Sequence, residues 1–206
     1  MPLTKNHEFY AGISQAAVQK IFNKLRSARP RYFKYSSLGI GGVGGATIVQ
    51  PIPIPGTNQQ VDYSINLDTP VVFFDPNPFN PVSPKAAQIG LGEFGLYLKV
   101  ETCLITGSSS APNSICGQLE VWAVGHLETT SLGSTRVVML VLESVEVAGA
   151  GSFSALFEHV LLLLLNSILS KTSLPLEAVG QTSLPFNLAQ GPSISGGSME
   201  IWGDLR

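Results

Sequence analysis

The chain predicts an α+β fold in which two helices bracket a long antiparallel sheet, and three observations carry that prediction. Apolar residues recur at helical spacing near the N-terminus and again near residue 160. The stretch between them is dominated by period-two alternation. The βαβαβ order of a doubly wound parallel sheet does not occur. A length of 206 residues suits one domain, read here as 1–206 with a flexible Gly/Pro-rich loop at about 38–56.

From about Asn6 to Ala28 the pattern is helical. Tyr10, Ile13, Ala17, Val18, Ile21 and Leu25 share one side, Phe22 widens it, and Gln15, Gln19, Asn23 and Arg26 lie opposite. Asn6 is a suitable cap and Pro30 a suitable stop. Gly39-Ile-Gly-Gly-Val-Gly-Gly45 and Pro51, Pro53 and Pro55 then read as a loop followed by an extended or edge segment.

Gln60 to Asp68 alternates strictly, with Val61, Tyr63, Ile65 and Leu67 on one face of a half-buried strand. Asp75-Pro-Asn-Pro-Phe-Asn-Pro81 is a loop, because each proline removes a ladder donor. Leu96 to Ile105 and Gly117 to Leu127 resume the alternation around a Ser-rich turn and form a long antiparallel hairpin. Thr135 to Val147 is a third long strand. After Gly149-Ala-Gly151, Phe153 to Leu169 is a second helix, apolar almost all round, closed by Lys171 and Pro175. Phe186 to Ala189 and Met199 to Trp202 are two short closing strands.

At 13% charged and 44% apolar residues, with a mean hydropathy of +0.26, the chain has much apolar surface to cover. The net charge of −2 gives no electrostatic case for nucleic acid. Locally, Lys20, Lys24, Arg26, Arg29, Arg31 and Lys34 run without an acidic residue among them. They read either as a helix-dipole complement with a solvated connector or, for Lys24, Arg26, Arg29, Arg31 and Lys34 beside Tyr32, Phe33 and Tyr35, as a patch for anionic head groups.

The N-terminus lacks the apolar run of about 7–15 residues of a signal peptide, so the expected location is the cytoplasm, with release by a route that needs no signal peptide left open. The longest unbroken apolar run, Val160 to Leu165, falls short of the roughly 20 residues of a membrane span, which leaves peripheral membrane contact. Cys103 and Cys116 flank the Ser-rich turn. Neighbouring strands permit a disulfide between them, and two packed free thiols are the expectation for a cytoplasmic chain.

Gly39-x-Gly41-x-x-Gly44 matches a dinucleotide fingerprint in form, but no helix opens at its last glycine. His7, His126 and His159 lie in three different elements, and Asp62, Glu101, Glu120 and Glu128 sit on outward strand positions. The expectation is a non-enzymatic protein without cofactor or metal.

Chemistry therefore rests on the apolar helix. At about 100° per residue, Phe153, Leu156, Phe157, Val160, Leu161, Leu164 and Ile168 form one stripe, and Leu162 and Leu169 project from the other side beside Glu158 and Asn166. On one reading Ile13, Ala17, Ile21 and Leu25 of the first helix, with Phe153, Leu156, Phe157, Val160, Leu164 and Ile168 of the second, line a cavity for a lipid or other apolar small molecule. On the other reading the chain is a structural subunit of a larger assembly, with Leu162, Leu165 and Leu169 meeting a second copy.

The order of these elements resembles a known family. The helix Ile13-Ser-Gln-Ala-Ala-Val-Gln-Lys-Ile21, the long strands, the Leu-rich run Leu161 to Leu169 that ends Leu-Leu-Asn-Ser-Ile-Leu, and the closing Leu184-Pro-Phe-Asn-Leu and Met199-Glu-Ile-Trp-Gly-Asp-Leu205 are similar to a tubular lipid-binding (TULIP) domain. They look most like the bacterial P47/OrfX branch of clostridial toxin clusters. The resemblance implies a highly curved antiparallel sheet wrapped around both helices, lipid held in the tube between them, and action through association with a related protein.

Overall fold

The computed structural model describes residues 6–38, 45–53, 58, 60–108, 111–132, 135–172, 174–175 and 186–205. The strands are β1 (Phe9–Ser14), β2 (Lys34–Ser36), β3 (Thr47–Ile48), β4 (Ile52–Pro53), β5 (Gln60–Leu67), β6 (Val71–Phe73), β7 (Glu93–Ser108), β8 (Ala111–Leu132), β9 (Thr135–Ala148), β10 (Leu174–Pro175), β11 (Phe186–Ser195) and β12 (Ser198–Leu205). The α-helices are α1 (Gln15–Ala28), the single turn α2 (Pro76–Phe79) and α3 (Ser154–Leu169). Residues 39–44 and 54–57 of the Gly/Pro-rich stretch, with its fingerprint-like glycines, lie outside the described residues.

The class is α+β. The larger sheet runs β10-β9-β8-β7-β5-β2-β3, with β6 also on β7 and β4 on β5, and it is strongly curled. Its ladders are antiparallel except the short β2–β3 pair. A smaller antiparallel sheet runs β1-β12-β11. One apolar cluster joins the two, from Val18 and Phe22 of α1 through Ile65, Leu67, Leu96, Leu98, Val100 and Val121 of the sheet to Phe157, Leu161 and Leu165 of α3 and Ile194, Met199 and Ile201 of the small sheet. A second cluster, with Phe79, Trp122 and Val124 at its centre, packs the loop around α2 onto the other face. There Phe79 lies over Gly95, where a Cβ would come within 2.7 Å of its ring.

The N-terminal helix is shorter than the sequence predicts. Residues Phe9–Ser14 pair with β12 as a strand, and the helix starts only at Gln15, capped by the Ser14 side chain, which accepts from the Ala17 N–H at 3.3 Å. Two local signals explain the difference: Gly12 disfavours a helix interior by about 1 kcal/mol, and Ser is among the best N-caps. The strand expectations hold in place and type, although β7, β8 and β11 run longer than the alternation suggests. Asp75 caps α2 by accepting from the Asn77 N–H at 2.9 Å, where a plain loop is expected.

The cysteines form a disulfide, which corrects the expectation of free thiols. Register is the reason. Cys103 and Cys116 are direct cross-strand partners of the β7–β8 ladder, with Cα atoms 4.0 Å apart.

Both helices lie along open sheet edges and use polar side chains to finish them. From α1, Gln15 Oε1 accepts from the Phe74 N–H at 2.8 Å, Gln19 Oε1 accepts from the Val72 N–H at 3.0 Å, and Gln19 Nε2 donates to the Pro70 carbonyl at 2.8 Å. Arg26 completes that row by donating to the Leu67 carbonyl. From α3, Asn166 Oδ1 accepts from the Leu142 N–H at 2.8 Å while its Nδ2 donates to the Leu142 carbonyl at 3.2 Å, and Glu158 Oε1 accepts from the Val147 N–H at 3.3 Å. These side chains supply partners that a further strand would otherwise provide.

Opposite Leu142 the β8–β9 ladder slips by one residue, so that Gly125 faces Leu142 and Glu143 is the extra residue of a bulge. A Cβ on Gly125 would lie 2.0 Å from the Val141 carbonyl oxygen. The bulge turns Glu143 outward, where its Oε1 lies 2.6 Å from Nδ1 of His126.

Candidate functional site: a cavity at the end of the apolar helix

The helix expected to line a cavity sits differently from its angular forecast. Its buried side chains are Phe157, Leu161, Leu165, Ile168 and Leu169. Leu165 and Leu169, expected on an outward side, are each 1% exposed inside the core and cannot meet a second copy; Leu162 is half-buried against the same cluster. Leu156 and Leu163 are the outward leucines, 38% and 59% exposed. The physical reason is the placement of Glu158 and Asn166: bound to the β9 edge, they turn their own side of α3 inward and rotate Leu163 to solvent.

Together with the 3₁₀ turn that follows, Ser154–Thr172 makes a 19-residue helical stretch with a mean hydropathy of 1.3, long and apolar enough to cross a membrane by length and composition. This corrects the count based on the unbroken run Val160 to Leu165 alone. A third of the stretch is buried within the protein.

The remaining nominated residues divide in the same way. Ile13, expected on the first helix, lies in β1; it, Ala17, Ile21 and Leu25 of α1 and Val160 and Leu164 of α3 are half-buried, and Phe157 and Ile168 are buried; of Phe153 the backbone alone is described. Between the helices and the sheet, Phe22, Leu67, Leu96, Val100 and Leu161 are fully enclosed by protein atoms. That part of the interior is a packed core rather than an open tube.

An opening exists at the far end of α3. A cavity of about 210 Å³ is lined by Tyr32, Tyr35, Thr47, Ser167, Ile168 and Lys171, and of the nominated cavity residues Ile168 is the one that reaches it. Its walls come from three places. The 3₁₀ turn Pro30–Phe33 brings Tyr32, β2 and β3 bring Tyr35 and Thr47, and the last turn of α3 with the following turn brings Ser167, Ile168 and Lys171. Thr47 Oγ1 donates to the Arg31 carbonyl at 2.8 Å, which ties β3 to the turn. Tyr35 Oη donates to the Tyr32 carbonyl at 2.8 Å. Burial pushes the Tyr35 phenol up to about 12 from its ordinary 10.0, so the ring enters the wall as a neutral group.

The basic segment is not one patch. Arg26 turns inward: it donates to the Leu67 carbonyl, its Nη2 lies 3.6 Å from Asp68 Oδ1, and its guanidinium sits 5.4 Å from the Phe33 ring centre. It is an edge-finishing residue and leaves the head-group set. Lys24, Arg29 and Arg31 are exposed and Lys34 is half-buried. Arg31 lies 5.5 Å over the ring of Tyr32, a wall of the cavity. Lys171 of the lining was absent from the nominated patch, although its place at the end of the helix was legible.

Among the described residues no three of His, Cys, Asp and Glu come together in a group suited to a metal ion. His7 Nδ1 lies 3.3 Å from Asp204 Oδ1, His126 faces Glu143, and His159 is exposed on α3.

No family model and no curated protein sequence matches this chain. Among solved structures it is similar to a lipopolysaccharide binding protein at 13% identity and a TM-score of 0.31, over 71% of this chain and 32% of that one. The chain thus spans about a third of the length of that protein.

Proposed function

We propose that the protein is a non-enzymatic binder of a lipid or other apolar small molecule, which it takes at the cavity beside the C-terminal end of α3. The cavity carries this reading: about 210 Å³ of space walled by Tyr32, Tyr35 and Ile168, of which Tyr35 and Ile168 belong to the apolar core. The volume lies below the roughly 300–1,000 Å³ of pockets that enclose a drug-sized ligand, so the site suits one chain end rather than a whole two-chain lipid. The resemblance of Leu161 to Leu169 and of the closing strands to a TULIP domain supports the same class of ligand. Kinship with the P47/OrfX branch, and action beside a related protein, belong to this proposal and rest on that resemblance alone.

Native mass spectrometry followed by organic extraction tests it. Release of a lipid or fatty chain on denaturation is the expected result; protein that carries no extractable apolar molecule and takes up none from added lipid refutes it.

A second reading, assembly through the outer face of α3, is favoured by one observation: Leu156 and Leu163 are exposed on the same side of the helix, seven residues apart. Leu163→Asp should leave a folded protein and dissociate any oligomer seen by light scattering.

A further inference from the structure

We infer that the ligand taken at the α3 cavity is an amphiphile with a single anionic head group on one apolar chain. This rests on the binding proposed above and specifies its chemistry. One cation lines the cavity and a second stands beside its wall: Lys171 is part of the lining, and the Arg31 guanidinium lies 5.5 Å over the ring of Tyr32, a lining residue. Neither has an ion pair among the described residues, in contrast to Arg26, which is held by Asp68. The C-terminal dipole of α3 favours a cation at position 171 but cancels only part of its charge.

Two of the lining hydroxyls, those of Tyr35 and Thr47, are already committed. Tyr35 Oη donates to the Tyr32 carbonyl and Thr47 Oγ1 to the Arg31 carbonyl, so these hydroxyl protons are turned to the protein backbone. The inner wall therefore offers Ile168 and aromatic rings, and the rim offers positive charge. An apolar floor with an uncompensated cationic rim favours a chain that ends in an anion and disfavours one that ends in a cation. The volume suits the end of one chain, which sets a carboxylate or monoester amphiphile ahead of a two-chain lipid.

Three probes of equal chain length decide it: dodecanoate, dodecan-1-ol and dodecyltrimethylammonium, titrated by calorimetry with the two ionic probes below their critical micelle concentrations and the alcohol below its solubility limit. Dodecanoate should bind about tenfold or more tightly than the alcohol. Arg31→Glu and Lys171→Glu, both at exposed positions, should each weaken dodecanoate by about that factor more than they weaken dodecan-1-ol. Ser167→Trp, also exposed, should block the cavity and abolish binding without touching the core. Equal affinities for dodecanoate and dodecan-1-ol, or tighter binding of the cationic probe, overturn the anionic inference while leaving an apolar site in place. Dodecanoate binding that survives Ser167→Trp overturns the location. Failure of all three probes to bind the unaltered protein overturns both this inference and the function on which it rests.

Discussion

Replacing Asn166 by Ala removes two hydrogen bonds at once, because Asn166 both accepts from the Leu142 N–H, at 2.8 Å, and donates to the Leu142 carbonyl, at 3.2 Å. Leu142 is 4% exposed, so water does not readily replace the amide. A buried backbone group left without a partner costs about 1–3 kcal/mol. The carbonyl tolerates the loss better than the N–H, which puts the sum near the lower half of the range, at about 2–4 kcal/mol. For a chain of this size each kcal/mol moves Tm by roughly 2–4 °C, so Asn166→Ala should melt about 4–16 °C lower. Differential scanning calorimetry reads the shift, and amide hydrogen exchange should show faster exchange at Leu142 than at Val138, whose edge is covered by β10. Asn166→Asp keeps the acceptor but sets a carboxylate against the Leu142 carbonyl, and its deficit should shrink as the pH falls and the acid becomes a donor. An alanine variant that melts within about 1 °C of the parent, with unchanged protection at Leu142, would show that α3 does not finish the β9 edge.

Three further outcomes are expected. Gly125→Ala places a methyl 2.0 Å from the Val141 oxygen and should destabilise by about 1–3 kcal/mol or more, whereas Gly117→Ala, with open space around it, should change melting little; paired thermal scans check both. Because burial raises the Tyr35 phenol from 10.0 to about 12, its contribution to stability is complete below pH 10 and is lost as the pH rises through about 12; Tyr63 is raised in the same direction by burial. Urea unfolding between pH 9 and 12 should show that loss, and Tyr35→Phe should reduce it. Arg26→Met retains the aliphatic stem over Phe33 but removes the donor to Leu67 and the charge beside Asp68, and should lower stability by about 1–3 kcal/mol, measured by urea titration.

What was legible in the sequence was whatever period and punctuation determine locally. The alternation of Tyr63, Ile65 and Leu67 gave β5 its buried face, and Pro30 ended α1 as a proline after a helix should. What was not legible depended on partners distant in sequence. Gln15, Gln19 and Arg26 look like a solvent face by angle alone, yet they meet the free edge at Pro70–Phe74 and Leu67, more than forty residues away. Glu158 and Asn166 look like a narrow polar strip, and the same edge-finishing role turns that strip inward and exposes Leu163. Phe9–Ser14 carries a helical apolar pattern until β12, nearly two hundred residues on, competes for it. The cysteine pair followed register, which spacing alone left open. Of the cavity, Ile168 was foreseen as lining; Tyr32, Tyr35 and Lys171 were visible as residue types, but their meeting required the turn after α1 to close against the end of α3.

The claim that the α3 cavity receives an apolar chain is tested most directly by methyl NMR of isoleucine-labelled protein during a dodecanoate titration. Saturable displacement of the Ile168 resonance, with the surface residue Ile115 unmoved and the effect lost in Ser167→Trp, is the predicted result. An Ile168 signal that stays fixed while dodecanoate binds would place the ligand elsewhere and contradict the account.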